Sequence, residues 1–291
     1  YGDLSSDEIL YNLGVIFDKF ESGNYSKMEL VRDINTQVKR LLKVATDYGF
    51  DDNLWHNYLT FYIMMNENPF SMTCEKVGAS DGSVNNFVEN DFKIFKKLFD
   101  YDFSTIEAEL GMSCFTQLCN YKAIVKKELM YNKNVSEKVR ALSKKLEAAK
   151  DEKEFFEVVT GFYKDYGVGM FGLNKAFRIL ENQTGGFSFK PINNMDGYEI
   201  QKQKLVDNTE AFVQGRRANN VLLFGDSGTG KSTSIKAIVN QYYDDGLRMI
   251  EIYKHQFKYL SGIISEIKNR NYKFIIYMDD LSFEEHEIEY K

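Results

Sequence analysis

One eight-residue segment constrains this chain more than any other. Residues 225–232 read GDSGTGKS and fit the pattern G-x-x-x-x-G-K-S/T. Its glycines allow the backbone to curl tightly, so that several N–H groups can point at one anion. An apolar run, VLLF at residues 221–224, precedes the segment, and a helical pattern at residues 232–242 follows it. A strand, a glycine-rich loop and a helix in this order predict a phosphate-binding loop.

The residues of this loop have expected roles in holding a nucleoside triphosphate and Mg²⁺. Lys231 would reach the β- and γ-phosphates as a point charge, and Ser232 would give its hydroxyl to the metal. The helix that follows the loop turns its N–H groups and the positive end of its dipole toward the anion. We therefore expect a nucleoside triphosphate and Mg²⁺ as cofactors, with these nucleotide-binding residues: Gly225, Asp226, Ser227, Gly228, Thr229, Gly230, Lys231, Ser232 and Thr233.

A second motif is the Walker B pattern, an apolar strand that ends in acid, at residues 274–280 (FIIYMDD). Open α/β sheets bind their ligands at the carboxyl ends of strands. Asp279 is therefore predicted to hold Mg²⁺ together with Ser232. Asp280 is predicted to act with Lys231 in catalysis by orienting or deprotonating the attacking water, and Glu284 is the fallback base.

The hydrophobic periodicity divides the chain into two regions. Residues 1–183 are mainly helical in pattern, residues 184–196 are predicted to be a linker around paired glycines, and residues 197–291 form the core that contains both motifs. In this last region strands at 248–253 and 273–278 alternate with a helix at 257–268. This order predicts an α/β fold, in which a parallel-sheet P-loop NTPase core follows a mainly α-helical N-terminal domain.

Several longer stretches carry a family resemblance. They read GYEIQKQKL (197–205), GRRANNVLLFGDSGTGKS (215–232), LRMIEI (247–252) and FIIYMDDLSFEE (274–285), and the helical region adds ENPFS (67–71) and YGVGMFGLNKAFR (166–178). On these residues the chain resembles an AAA+ P-loop ATPase, within a bacterial AAA+ family of unassigned cellular role.

The resemblance implies that the nucleotide is ATP, and it implies further features of the site and of the assembly. Gly197 and Tyr198 would line the adenine, and a homo-oligomer would complete each active site with a neighbour's arginine. AAA+ proteins commonly have Glu where this chain has Asp280. The chain also stops soon after Walker B, so we expect a truncated, incomplete core without the sensor 1 strand, arginine finger and sensor 2 lid. The phosphate-loop and Walker B strands would then lack the strand that lies between them in AAA+ sheets.

Two functional hypotheses follow from the paired motifs. The first is an ATPase that couples hydrolysis to remodelling of an unidentified protein or DNA partner. The second is a slow-hydrolysing nucleotide-dependent switch or loader, which recruits its partner through the helical domain; Asp280 in place of Glu favours it. A nucleotide kinase is a weaker third hypothesis, because small kinases usually begin near their phosphate loop.

Composition excludes few classes of function. The net charge is −6 without a long basic stretch, so the bulk charge does not favour nucleic acid. No apolar run approaches the roughly 18 residues of a membrane span, so we expect no membrane partner. Three cysteines without a C-x-x-C pair are typical of a reducing compartment, and we expect a cytoplasmic protein. The G-x-G-x-x-G match at residues 167–172 follows a helical pattern, which favours a helix-ending turn over a dinucleotide site.

Overall fold

Two stretches of the chain form separate hydrophobic cores. The computed structural model describes residues 5, 7–79, 82–124, 131–193, 195, 203–226 and 228–279. It divides the chain into two units, Tyr1–Leu173 and Asn174–Lys291.

The first unit is mainly helical in its described residues, as the periodicity predicted. Its helices are α1 (Ile9–Glu21), α2 (Lys27–Tyr48), α3 (Leu54–Met65), α4 (Pro69–Val77), α5 (Ser83–Phe99), α6 (Ser104–Leu110), α7 (Cys114–Cys119), α8 (Lys133–Ala148), α9 (Glu152–Tyr166) and α10 (Gly169–Leu173).

Helix α3 forms the centre of this unit. It packs against α2, α5, α7 and α8, and most of its side chains are buried. Such all-round burial is expected of a helix that is apolar on every face. Polar atoms at this depth find partners: Trp55 Nε1 donates to the carbonyl of Leu98 at 2.8 Å, and the Tyr163 hydroxyl donates to the carbonyl of Ile63 at 2.8 Å. These bonds offset the cost of burying polar groups.

The G-x-G-x-x-G segment is a packing turn between α9 and α10. Gly167 ends α9 with φ at +84°, and Gly169 begins α10 with φ at +70°. A Cβ atom at Gly172 would lie 2.7 Å from the carbonyl carbon of Gly167. The glycines therefore serve a tight turn and a close backbone approach, which confirms the interpretation as a helix-ending turn.

The second unit is a four-stranded sheet with helices. Its elements are β1 (Ala176–Glu181), β2 (Phe187–Pro191), α11 (Gln203–Val213), α12 (Lys231–Gln241), β3 (Leu247–Ile252), a 3-10 helix (Lys254–Tyr259), α13 (Leu260–Ile267) and β4 (Lys273–Met278). The strand order is β2-β1-β3-β4. Strand β3 is parallel to both neighbours and buried along its whole length, whereas β2 is antiparallel to β1. The predicted α/β class is confirmed, and β3 and β4 lie where the apolar runs placed them.

The boundary between the two units lies earlier than the sequence indicated, at Leu173 rather than residue 183. Residues 184–196, predicted to be a linker, include β2. The paired glycines form the turn of a β1–β2 hairpin, in which Asn182 N–H donates to the carbonyl of Gly186 at 2.8 Å. Strand β1 belongs to the second unit because it pairs with β3 and because Ala176 lies in that unit's core. Phe177 and Ile179 of the same strand are buried as well. A hairpin turn and a linker share the same residue types, so composition alone did not separate them.

The prediction of a strand at residues 221–224 is wrong. The segment lies outside the sheet, and Leu222 and Phe224 are 73% and 86% exposed. Leu223 packs against the core, and the side chain of Asn208 holds the backbone of Asn219 through two hydrogen bonds of 2.9 Å. Among the described residues, β4 is paired only with β3. An apolar run becomes a strand only where a neighbouring strand satisfies its backbone groups, and none of the described strands lies beside this segment.

None of the described helices combines the length and the apolar character that a membrane crossing requires.

The close approach at Gly172 predicts a loss of stability in Gly172→Ala. The new methyl group would meet backbone, which cannot rotate away, so the free energy of unfolding should fall by about 1–3 kcal/mol. Trp55 is the single tryptophan and lies in the core of this unit, so its fluorescence in a urea titration measures the change.

Gly161→Ala is the matched control. Gly161 lies within α9 with nothing within 4 Å of its Cβ position, so this change should raise stability by about 0.5–1 kcal/mol. Equal stabilities for the Gly172 variant and the unchanged protein would contradict the packing argument.

Candidate nucleotide-binding site

The glycine-rich loop is placed by helix α12. Ile235, Ile238 and Val239 of this helix are buried in the core of the second unit beside Leu247 and Met249 of β3. The first turn of α12 is consequently held against the sheet, and the loop extends from it into solvent. Its N–H groups are those of a helix N-terminus, where anions bind favourably.

Three glycines of the loop adopt backbone conformations that L-residues with side chains rarely adopt. The φ angles are +142° at Gly225, +81° at Gly228 and +76° at Gly230. Gly230 is also the N-cap of α12. Thr229 stabilises the curl, because its hydroxyl donates to the carbonyl of Asp226 at 2.8 Å. The sequence predicted that the loop needs glycine for its conformational freedom, and the positive φ angles show this conformation.

Lys231 folds back across the loop. Its Nζ atom donates to the carbonyl oxygens of Gly225 and Asp226, both at 2.8 Å. The ammonium group is thereby held on the loop by the loop's own backbone. A phosphate oxygen would be a stronger partner for it than a neutral carbonyl, since charge-assisted hydrogen bonds are about twice as strong. The arrangement therefore presents a cation next to the N–H groups of the helix start.

Ser232 and Asp279 meet at one place. Ser232 lies in the first turn of α12, and Asp279 directly follows β4. The Ser232 hydroxyl donates to Oδ2 of Asp279 at 3.2 Å. The residues expected to hold Mg²⁺ are thus adjacent, although 46 residues of chain separate them.

Oxygen donors of this kind suit Mg²⁺. The ion prefers carboxylate and hydroxyl oxygens and keeps several waters, so one or two protein ligands beside nucleotide phosphates suffice. The described residues contain no group of three or more His, Cys, Asp or Glu side chains that could hold a metal by themselves. Ser232 and Asp279 therefore fit a metal that arrives with a phosphate-bearing ligand.

Tyr277 was not among the predicted site residues, yet it contacts the site. Its hydroxyl donates to Ser232 Oγ at 3.0 Å. Burial raises the pKa of Tyr277 to about 12, and the carboxylate of Asp279 adds to the increase. The phenol therefore stays protonated at neutral pH and remains a hydrogen-bond donor. The sequence feature that could have identified Tyr277 as a site residue is its polar hydroxyl within the otherwise apolar run FIIYM.

A second polar pair lies on the same sheet. Glu251 of β3 is paired in register with Arg178 of β1 on one side and with Tyr277 of β4 on the other. Arg178 and Glu251 form an ion pair through Nε and Oε2, and this pair raises the pKa of the Arg178 guanidinium. The charge of the buried Glu251 is thus matched by a cation on the strand beside it.

The other predicted site residues divide into two groups. Thr233 lies half-buried in the first turn of α12. Ser227, Tyr198, Asp280 and the fallback Glu284 lie outside the described residues, as does Gly197.

Part of the chain is similar to known proteins. Residues 174–291 match a family described as "Protein of unknown function (DUF815)", a match that begins at the first residue of the second unit. The replication factor C large subunit of Methanococcus vannielii is 33% identical over 70 residues, which cover 24% of this chain and 14% of that relative. The chain therefore matches only a small part of that protein. The second unit is similar to AAA+ P-loop ATPases.

At the level of the family, this similarity supports a nucleotide-binding ATPase. No solved structure matches the chain significantly.

The conformation of Gly230 predicts the effect of two substitutions at that position. Nothing lies within 4 Å of its Cβ position, so Gly230→Ala should act through the backbone alone. Alanine at φ of +76° should cost about 1–2 kcal/mol, whereas Gly230→Asn should cost less because asparagine tolerates this region and caps helices well.

Hydrogen–deuterium exchange of the first turn of α12 measures this difference. We expect exchange to quicken by roughly 5- to 30-fold in the alanine variant and by much less in the asparagine variant. Equal acceleration in both variants would show that the left-handed conformation is not the cause.

Proposed function

We propose that the chain binds ATP with Mg²⁺ through residues 225–233 and Asp279, and that it hydrolyses the nucleotide as an AAA+ ATPase. The observation that carries the proposal is the meeting of Ser232 and Asp279 at 3.2 Å beside a lysine-bearing glycine loop. These parts come from the start of one helix and the end of one strand.

The roles of the residues follow from their chemistry. Loop N–H groups and the start of α12 would bind phosphate oxygens, and Lys231 would exchange its two carbonyl partners for the β- and γ-phosphates. Ser232 and Asp279 would hold Mg²⁺, which supplies positive charge to the phosphates of the bound nucleotide. Asp280 is the proposed residue that orients the attacking water, and Tyr198 is proposed to line the adenine.

The larger biological role is also a proposal. Coupling of nucleotide turnover to remodelling of a protein or DNA partner is supported by the AAA+ similarity and by the separate helical unit, which has its own core. A homo-oligomer and a cytoplasmic location belong to the same proposal.

Lys231→Ala tests the phosphate contact. Loss of a charged hydrogen bond should weaken ATP·Mg²⁺ binding by roughly ten- to a hundredfold, as measured by isothermal titration calorimetry. Turnover measured by phosphate release should fall to background. Lys204→Ala is the matched control, because Lys204 is an exposed lysine of α11 in the same unit, and it should leave both values unchanged.

A purified protein that turns ATP over no faster than its Lys231→Ala variant would contradict hydrolysis. Binding that survives in that case would favour the nucleotide-dependent switch.

Asp279→Asn tests the metal contact. The amide keeps the shape of the side chain but removes its charge, so the Mg²⁺ concentration for half-maximal ATP binding should rise roughly tenfold or more. Asp207→Asn, at an exposed position of α11, is the control for the charge change and should not alter this concentration. An unchanged Mg²⁺ requirement in Asp279→Asn would exclude Asp279 as a metal-holding residue.

A further inference from the structure

Tyr277 occupies a position from which it can orient a metal ligand. It lies on β4 two residues before Asp279, and alternate residues of a strand point to the same side of a sheet. Its hydroxyl reaches Ser232 Oγ at 3.0 Å, and Ser232 in turn donates to Oδ2 of Asp279 at 3.2 Å. The carboxylate of Asp279 also lies within hydrogen-bonding reach of the Tyr277 hydroxyl, so the three side chains form one hydrogen-bonded cluster in which Ser232 is bonded to both of the others.

These hydrogen bonds determine which lone pairs of the Ser232 hydroxyl remain available to a metal ion. A serine hydroxyl has one hydrogen and two lone pairs. The hydrogen is committed to Asp279 and one lone pair accepts from Tyr277, so one lone pair remains. Two hydrogen bonds together fix the rotation of the hydroxyl, which a lone bond to Asp279 would leave freer.

The surroundings favour persistence of this bond. Tyr277 and Ser232 are both half-buried, so water competes less for the hydroxyls than it would on an open surface. The carboxylate beside Tyr277 in the sheet, Glu251, is already paired with Arg178. The hydroxyl of Tyr277 is therefore directed toward α12 by its acceptor there.

We propose that Tyr277 is a positioning residue for the divalent cation that accompanies the nucleotide, acting by holding the remaining lone pair of Ser232 toward the metal. This inference rests on the proposed function. Residues that orient a metal ligand typically change metal affinity by about 10- to 100-fold when they are removed. Tyr277 contributes no ligand of its own, so nucleotide binding without metal is independent of it.

Tyr277→Phe in the full chain tests the proposal, since it removes only the hydroxyl. Fluorescence anisotropy of a fluorescent ATP analogue is measured while Mg²⁺ is titrated, and again in EDTA. The Mg²⁺ concentration for half-maximal binding should rise roughly tenfold, and binding in EDTA should stay as in the unchanged protein. Tyr259→Phe is the matched control, because it removes a tyrosine hydroxyl bonded to the carboxylate of Glu181 elsewhere in the unit, and it should change neither value.

A double-mutant cycle with Ser232→Ala separates positioning from a general structural role. Without the Ser232 hydroxyl, Tyr277→Phe should no longer change the Mg²⁺ requirement, whereas a structural effect would persist. The proposal is overturned by an unchanged Mg²⁺ requirement in Tyr277→Phe, by an equal effect in the Ser232→Ala background, or by loss of the folded state in far-UV circular dichroism. Failure of the unchanged protein to bind the ATP analogue at all would instead overturn the proposed function.

Discussion

The parallel pairing of β3 with β4 is the constraint on which the site depends. Six residue pairs in register, from Leu247 with Lys273 to Ile252 with Met278, align the carboxyl ends of the two strands. Because α12 packs against β3, its first turn lies near the same edge of the sheet. Asp279, the residue that follows β4, then meets Ser232 there. A shift of one residue in this pairing would turn Tyr277 and Asp279 away from the helix together.

The β1–β2 hairpin, on the side of β3 away from β4, contributes to the packing of the sheet. The hairpin of β1 and β2 covers the edge of β3 that faces away from β4, and Ala176, Phe177 and Ile179 of β1 are buried. This cover allows β3 to be buried along its whole length, and a buried strand is a rigid base for a binding loop. Glu251 can be buried within it because Arg178 of the hairpin supplies the opposite charge.

The site contains one residue that can exchange its partners, Lys231, and a group of side chains that hold one another in place. Lys231 is held by carbonyls that it can exchange for stronger anionic partners, so its present contacts need not oppose binding. Ser232, Tyr277 and Asp279 are instead tied to one another across two secondary-structure elements. The part that would hold a metal is thus preorganised, whereas the part that would grip phosphate is able to rearrange.

The sequence by itself determined the loop, its glycines, the helix after it, strands β3 and β4, and the helical character of the first unit. These features depend on local rules: left-handed conformations favour glycine, and periods of 3.6 and 2 residues identify buried faces. Tertiary structure alone decided the rest. Residues 221–224 have the composition of a strand, but none of the described strands lies beside them to share hydrogen bonds. Residues 184–196 have the composition of a linker but include β2, which joins the sheet through β1. Tyr277 joined the site because strand pairing turned its hydroxyl toward Ser232. Each of these outcomes depends on a partner distant in sequence, and local patterns carry no information about which partner is present.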